Sequence, residues 1–288
     1  AAIEIEYVHV LSLRESKERV INPRQVAAGN ARWTDAPLRA AGLPLLGIVR
    51  MNEAVGRSRY DGLNVAYRKR MTRYFSLNTS YVLSHAVGYN GASAGFRNLP
   101  TDVNDIFAKH DFGPTPADET HRWVLSGIVE LPGGVRIAPI MQLASARPYQ
   151  AFEGVNDTYG FGGGQGNTHA IVLKSDPNNL LATKTYTAAQ LRACLATGDC
   201  YQVPYDNMRG QAFFQLDTRF SKTVKFGDKA RLELIFQAFD LTNRANFGAN
   251  FRTSIRAADF GKPIGFITPS GVIVPRSFSG EFGARFSF

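Results

Sequence analysis

An all-β fold is predicted for this chain: an antiparallel transmembrane β-barrel, represented in part by an up-and-down meander of about eight strands with long extracellular loops. Three observations predict it. Apolar and polar residues alternate with a period of two in segment after segment, the pattern of a strand with one greasy and one wet face. Short turns alternate with very long connections, which compact soluble domains rarely carry. No amphipathic helix is long enough to cover the greasy faces, and no transmembrane helix is available, because the most apolar stretch, Ala40 to Val49, is short and interrupted by Gly42, Pro44 and Gly47. Lipid is the cover that remains.

The elements follow in order. The chain opens on AIEIEYVHV, already a strand, so no signal peptide is expected within it. YDGLNVAYRKR sets Leu63, Val65 and Tyr67 against Gly62, Asn64 and Arg68, and YFSLNTSYVLS sets Phe75, Leu77, Tyr81 and Leu83 against Ser76, Asn78 and Ser80. A basic turn around Met71 and Thr72 joins them. RWVLSGIVEL and VRIAPIMQLAS flank the turn PGG; Ile128 and Ile140 fall on the nominally polar side, and Pro139 interrupts the second strand. QAFFQLDTRFSK and KARLELIFQAF are two-faced strands joined at Gly227-Asp228. The end, EFGARFSF, places Phe282, Phe286 and Phe288 on one parity with Phe278, Gly280 and Ala284. The long connections are Leu11 to Arg59, Ala86 to His121, Arg147 to Gly210 and Leu241 to Ser277. Counting back from a last strand that ends in the periplasm puts all of them outside.

The composition agrees. The chain has 288 residues and is 44% hydrophobic and 20% charged, with a mean hydropathy of −0.17, as expected when strands are apolar on one face only. Its net charge of +9 suits anionic lipid, an acidic ligand or nucleic acid. No zinc-finger spacing, basic amphipathic helix or RNP-like aromatic stretch accompanies the charge, so nucleic acid is not an expected partner.

Several stretches also carry a family resemblance. The terminal Phe282, Phe286 and Phe288 resemble the C-terminal assembly signal of bacterial outer-membrane proteins. AFDLTNRANFG resembles the penultimate-strand motif of TonB-dependent outer-membrane transporters. YDGLNVAYRKR with FSLNTSYVLSHA, DETHRWVLSGIVELPGG, and IEIEYVHV with ERVINPRQ are similar to strands and hairpins of the Oar-like subgroup, whose members carry a carboxypeptidase-regulatory-like domain. The resemblance covers most of the chain except the long loops. It implies that residues 1–288 are the C-terminal portion of a receptor barrel in the outer membrane of a Gram-negative bacterium, importing an unidentified ligand. The implied partners are outer-membrane lipid and lipopolysaccharide, the barrel-assembly machinery, and TonB with a plug domain. Such transporters close about twenty-two strands around a plug, and neither a plug nor a TonB-contact segment is recognisable in this sequence.

The residues that carry chemistry point away from catalysis. Cys194 and Cys200 in CLATGDC lack zinc spacing and a second pair, so a structural disulfide is expected in an exported loop. GFGGGQGN, at 160–167, lacks the Lys-Ser/Thr of a phosphate loop and reads as a flexible loop. Asp102, Asn104, Asp105 and Asp111 offer oxygen ligands, without the glycine and distal glutamate of a calcium loop. His9, His85, His110, His121 and His169 are scattered, and His121, which matches the family motif at a strand start, is expected at a rim. No nucleophile elbow or carboxylate dyad is recognisable, so no enzyme, cofactor or metal site is expected. The inward faces of the last three strands carry Asp217 and Arg219, Arg231 and Glu233, and Glu281 and Arg285, an expected lumen-facing charge network and candidate plug contacts.

Two other readings remain open from the residues alone. One is a self-contained eight-stranded barrel acting as an adhesin, anchor or small channel. It requires residues near Ala2 to Val10 to pair with Phe278 to Phe288. The other is a soluble all-β binding protein, which requires the outward aromatics to be buried by another layer. Against the small barrel, the inward Gly62, Asn64, Ser76, Ser80 and Gly283 suit a wide, wet interior, and an open sheet is expected.

Overall fold

In a computed structural model, the structure describes residues 1–20, 36–44, 49–89, 105–153, 169–204, 207–227, 230–266 and 278–288. One antiparallel sheet runs through the chain in sequence order. Its wall strands are β1 (Ala2–Val20), β2 (Arg50–Lys69), β3 (Phe75–Gly88), β4 (His121–Leu131), β5 (Val135–Ala144), β6 (Phe213–Phe226), β7 (Ala230–Phe239) and β8 (Ser279–Ser287). Each pairs with the next. The two-residue Gly113–Pro114 adds to the outer end of β3. No helix among the described residues is long and apolar enough to cross a membrane.

The register turns the alternation into two continuous faces. Ile5, Val65 and Tyr81 stand side by side, as do Trp123, Leu143 and Phe214, and Phe220, Phe236 and Phe282. Among the described residues nothing covers this face: Ile5 is 70% exposed, Leu234 48% and Phe282 86%. A soluble sheet of this composition would need a second layer, and the described residues supply none. The opposite face carries Asn64, Asn78, Ser126, Gln142, Arg219 and Gln237.

The inner turns are tight for local reasons. Gly133 and Gly134 have φ of 80° and 79°, a region side chains avoid. A Cβ on Gly134 would also lie 2.7 Å from the Thr223 carbonyl oxygen. A register line through Tyr67, Thr79, Leu125, Met141 and Leu216 is progressively further from the inner strand ends, from Phe75 on β3 to Leu131 on β4 and Phe226 on β6. That stagger is the shear of tilted barrel strands. Pro139 does not end β5: it sits opposite Thr218 on β6, while on its other side the β4 pairing lapses at Gly127 and Ile128, where a proline has no N–H to give.

The first long connection is shorter than the sequence suggests. The alternation places Leu11 to Arg59 outside any strand, yet β1 continues to Val20 and β2 begins at Arg50. A register shift between Leu13 and Glu15, with Arg14 at φ 64°, separates the lower part of this hairpin from its upper part. Above the lipid both faces of a ribbon are wet, so strand pairing persists where alternation has ended.

The hydrophobic core lies outside the barrel wall. Ala151, Ala170, Val172 and Ile255 are fully buried in one cluster, and Ile171 and Leu191 in a second; all belong to the outer connections. Described residues of the second, third and fourth connections meet in a cap that contains α2 (Ala188–Thr197), whereas α1 (Ala36–Ala40), in the first connection, buries no residue.

Candidate functional site

Two surfaces could carry function, the polar inner face of the wall and the outer cap. On the inner face a hollow of about 700 Å³ is lined by Arg68, Asn78, Ser126, Arg219 and Gln237, with Ile128 and Ile140 among them. The two isoleucines are thus on the polar side, as their parity requires.

The six expected lumen charges share this face but do not pair. Glu233 stands opposite Arg285, while Lys225 stands opposite Arg231, two cations in direct register. Among the described residues no ion pair within 4.0 Å joins any two of the six. Glu281 instead accepts a hydrogen bond from the Gln237 amide at 3.2 Å. Asp217 accepts from the Gln215 amide at 3.0 Å and from the Asp240 N–H at 2.8 Å, tying down the start of the last outer connection. Opposite signs on one face place the charges in the same water, and exposed side chains there gain little from being held together. Where ion pairs form on the wall, they are elsewhere: Arg68 with Glu4 and Arg136 with Glu130.

Phe282 and Phe286 point to the outer, lipid-facing side of β8; with Phe288 they are among the most exposed apolar residues of the chain. The Phe236 and Phe282 rings lie 4.7 Å apart, and Phe220 continues the row at 6.2 Å from Phe236.

The cap is built around polar groups taken out of water in pairs. The fully buried Glu153 carboxylate accepts from Arg256 at 2.9 Å and from the Ile171 N–H at 3.2 Å; burial pushes its carboxyl pKa up despite both. The buried Asp118 meets Arg209 at 2.7 Å and His85 at 3.3 Å. Glu119 bridges Arg122 and Arg147, each at 2.6 Å. The buried His169 has Nδ1 2.7 Å from the Val203 carbonyl and Nε2 3.5 Å from Asp111, and burial lowers its pKa to about 4. At ordinary pH it is therefore a neutral imidazole.

Helix α2 explains how the cysteines meet. Thr187 caps it with Gln190 in a reciprocal capping box, and Gly198, at φ 77°, ends it by turning left-handed. The chain then reverses and brings Cys200 to a disulfide with Cys194, their Cα atoms 5.3 Å apart. Cys200 is thereby packed against Ile171 and Leu191.

Other residues singled out in the sequence fall as follows. Asp105 accepts from the Phe107 N–H at 3.0 Å in a local turn, whereas Asp111 is fully buried. Among the described residues no group of three or more His, Cys, Asp or Glu is placed to hold a metal. Asp102, Asn104 and the glycine-rich stretch 160–167 lie outside the described residues. His121 opens β4 with its ring 2.7 Å from the Tyr81 hydroxyl, and His9 lies 2.7 Å from Asp61. Sequence reasoning missed the cap pairs, Glu153 with Arg256 and Asp118 with Arg209, because their members lie 103 and 91 residues apart.

Tilted antiparallel strands in hairpins, greasy toward lipid and polar within, with long loops gathered at one end, define an outer-membrane β-barrel. Residues 1–274 match the family model of the outer membrane beta barrel domain; the chain belongs to that family, and its place is the bacterial outer membrane. No curated protein matches it. Among solved structures, it is similar to the outer membrane transporter YddB from Escherichia coli, with 12% identity and a TM-score of 0.46, over 99% of this chain and 30% of that one. The chain thus spans under a third of that transporter's length.

Proposed function

We propose that this chain is wall and outer cap of a TonB-dependent, Oar-like receptor that takes up a ligand across the outer membrane. The observation that carries the reading is the open sheet. Among the described residues β1 and β8 pair only with β2 and β7, and not with each other. In hydrocarbon each unpaired backbone group costs several kcal/mol, so further strands must meet both edges. A barrel wider than eight strands results, with a wet lumen that needs a plug, which the inner charges are available to meet. The cap, with its own core and disulfide, is a preformed surface for capturing ligand.

The test compares growth medium consumed by the source bacterium with that consumed by strains lacking the receptor gene or TonB. The reading expects the same solute to remain unconsumed in both deletion strains, and the full-length receptor to leave planar bilayers unconducting. Uptake that persists without TonB, or a constantly open channel, would favour the self-contained small channel instead.

A further inference from the structure

We infer that the lipid-facing wall carries a built site for an anionic phospholipid of the inner leaflet, with one acyl chain in a groove across β6–β8 and the phosphate on Lys222. The inference rests on membrane residence and is independent of the transport reading.

The groove holds about 680 Å³ and is made by two neighbouring rungs of the sheet. One rung is the aromatic row Phe220, Phe236 and Phe282. The next, nearer the inner turns, is Lys222, Leu234 and Ala284. Ala284 makes the floor low between Phe282 and Phe286, which stand out at 86% and 57% exposure. A depression between large apolar side chains on a face that meets lipid accepts a chain of methylenes.

Charge selects the headgroup. No acidic residue lines the groove, and Lys222 is the one cation among the residues that do. By register Lys222 projects to the lipid side, as Lys69 does at the inner end of β2. The Lys222 ammonium reaches down to the Gly133 carbonyl at the neighbouring inner turn, the snorkelling expected of a lysine rooted in the apolar band. It thus sits at headgroup depth, directly below the groove. Lys69 differs: its ammonium lies 3.4 Å over the Phe75 ring, and it is not among the residues that line this groove.

The test uses the full-length protein with Phe286→Trp as a reporter beside the groove and Trp123→Phe to reduce background. It is folded into phosphatidylcholine vesicles containing a fixed fraction of lipid brominated on its acyl chains, either phosphatidylglycerol or phosphatidylcholine. A lysine near the headgroups gives about a fivefold preference for the anionic lipid, read as stronger quenching by brominated phosphatidylglycerol. Lys222→Gln should abolish that preference, Lys222→Arg should keep it, and Lys69→Gln should leave it intact. Ala284→Phe, which fills the floor, should weaken quenching by both lipids. Heat-modifiable mobility on gels confirms folding of each variant. Equal quenching by the two lipids in the parent, or equal losses in Lys222→Gln and Lys69→Gln, overturns the site and leaves a diffuse positive rim.

Discussion

Replacing Phe236 by arginine and, separately, its neighbour Gln237 by arginine tests the two-faced wall most sharply, because the same cation is placed one residue apart on opposite faces. Phe236 is well above the inner end of β7 at Ala230. At about 3.3 Å per residue and a tilt near 40°, it reaches roughly 15 Å into an apolar band about 25 Å tall. A cation near that depth costs about 2 to 4 kcal/mol, and losing the ring packing against Phe220 and Phe282 adds about 0.5 to 1.5 kcal/mol for each neighbour. Phe236→Arg should therefore destabilise the folded protein by about 3 to 7 kcal/mol. Gln237 faces the wet side and gives one exposed hydrogen bond to Glu281. An arginine there meets the same carboxylate, so Gln237→Arg should change stability by about 1 kcal/mol or less. Equilibrium unfolding by denaturant in lipid vesicles, with intrinsic fluorescence as readout, measures both. Equal costs at the two positions, or a larger cost at Gln237, would refute the assignment of faces.

Three further outcomes concern the cap. Thiol labelling of unreduced protein should give no product at Cys194 or Cys200 and two labels after reduction, and removing the bridge should cost about 2 kcal/mol of cap stability, as a loop this short implies. His169, with its pKa lowered to about 4 by burial, binds its proton more weakly folded than unfolded. Cap stability should be unaffected above about pH 6.5, fall as pH drops from there to about 4, and level off below, for a total of about 3 kcal/mol. Glu153, raised by burial, works in the opposite direction, so the measurement is the difference between parent and His169→Asn in hydrogen exchange of the cap across that range. Arg256→Met should leave Glu153 buried without its guanidinium partner and cost about 3 to 5 kcal/mol, seen as faster exchange at Ile171 and Val172, while Arg252→Met, at an exposed pair, should cost about 1 kcal/mol or less.

The sequence by itself determined the wall. Wherever lipid lies on one side and water on the other, every second residue has its polarity dictated, so β3, β4, β6, β7 and β8 and their faces were legible from Leu77, Trp123, Phe220, Leu234 and Phe282. The inner turns were legible too, since Gly133, Gly134 and Gly227 mark backbone that only glycine adopts easily. Tertiary structure decided the rest. Beyond the lipid the constraint vanishes, which is why the upper half of the β1–β2 hairpin, from Leu11 to Val20 and from Arg50 to Arg59, left no alternating trace. Parity fixed the face of Arg231 and Glu233 but not their partners, and register set Arg231 against Lys225. The cap was hidden for a related reason: burying Glu153, Asp118 and His169 depends on loops distant in sequence meeting at one place, and a one-dimensional pattern records periodicity along a strand, not which loops share a core.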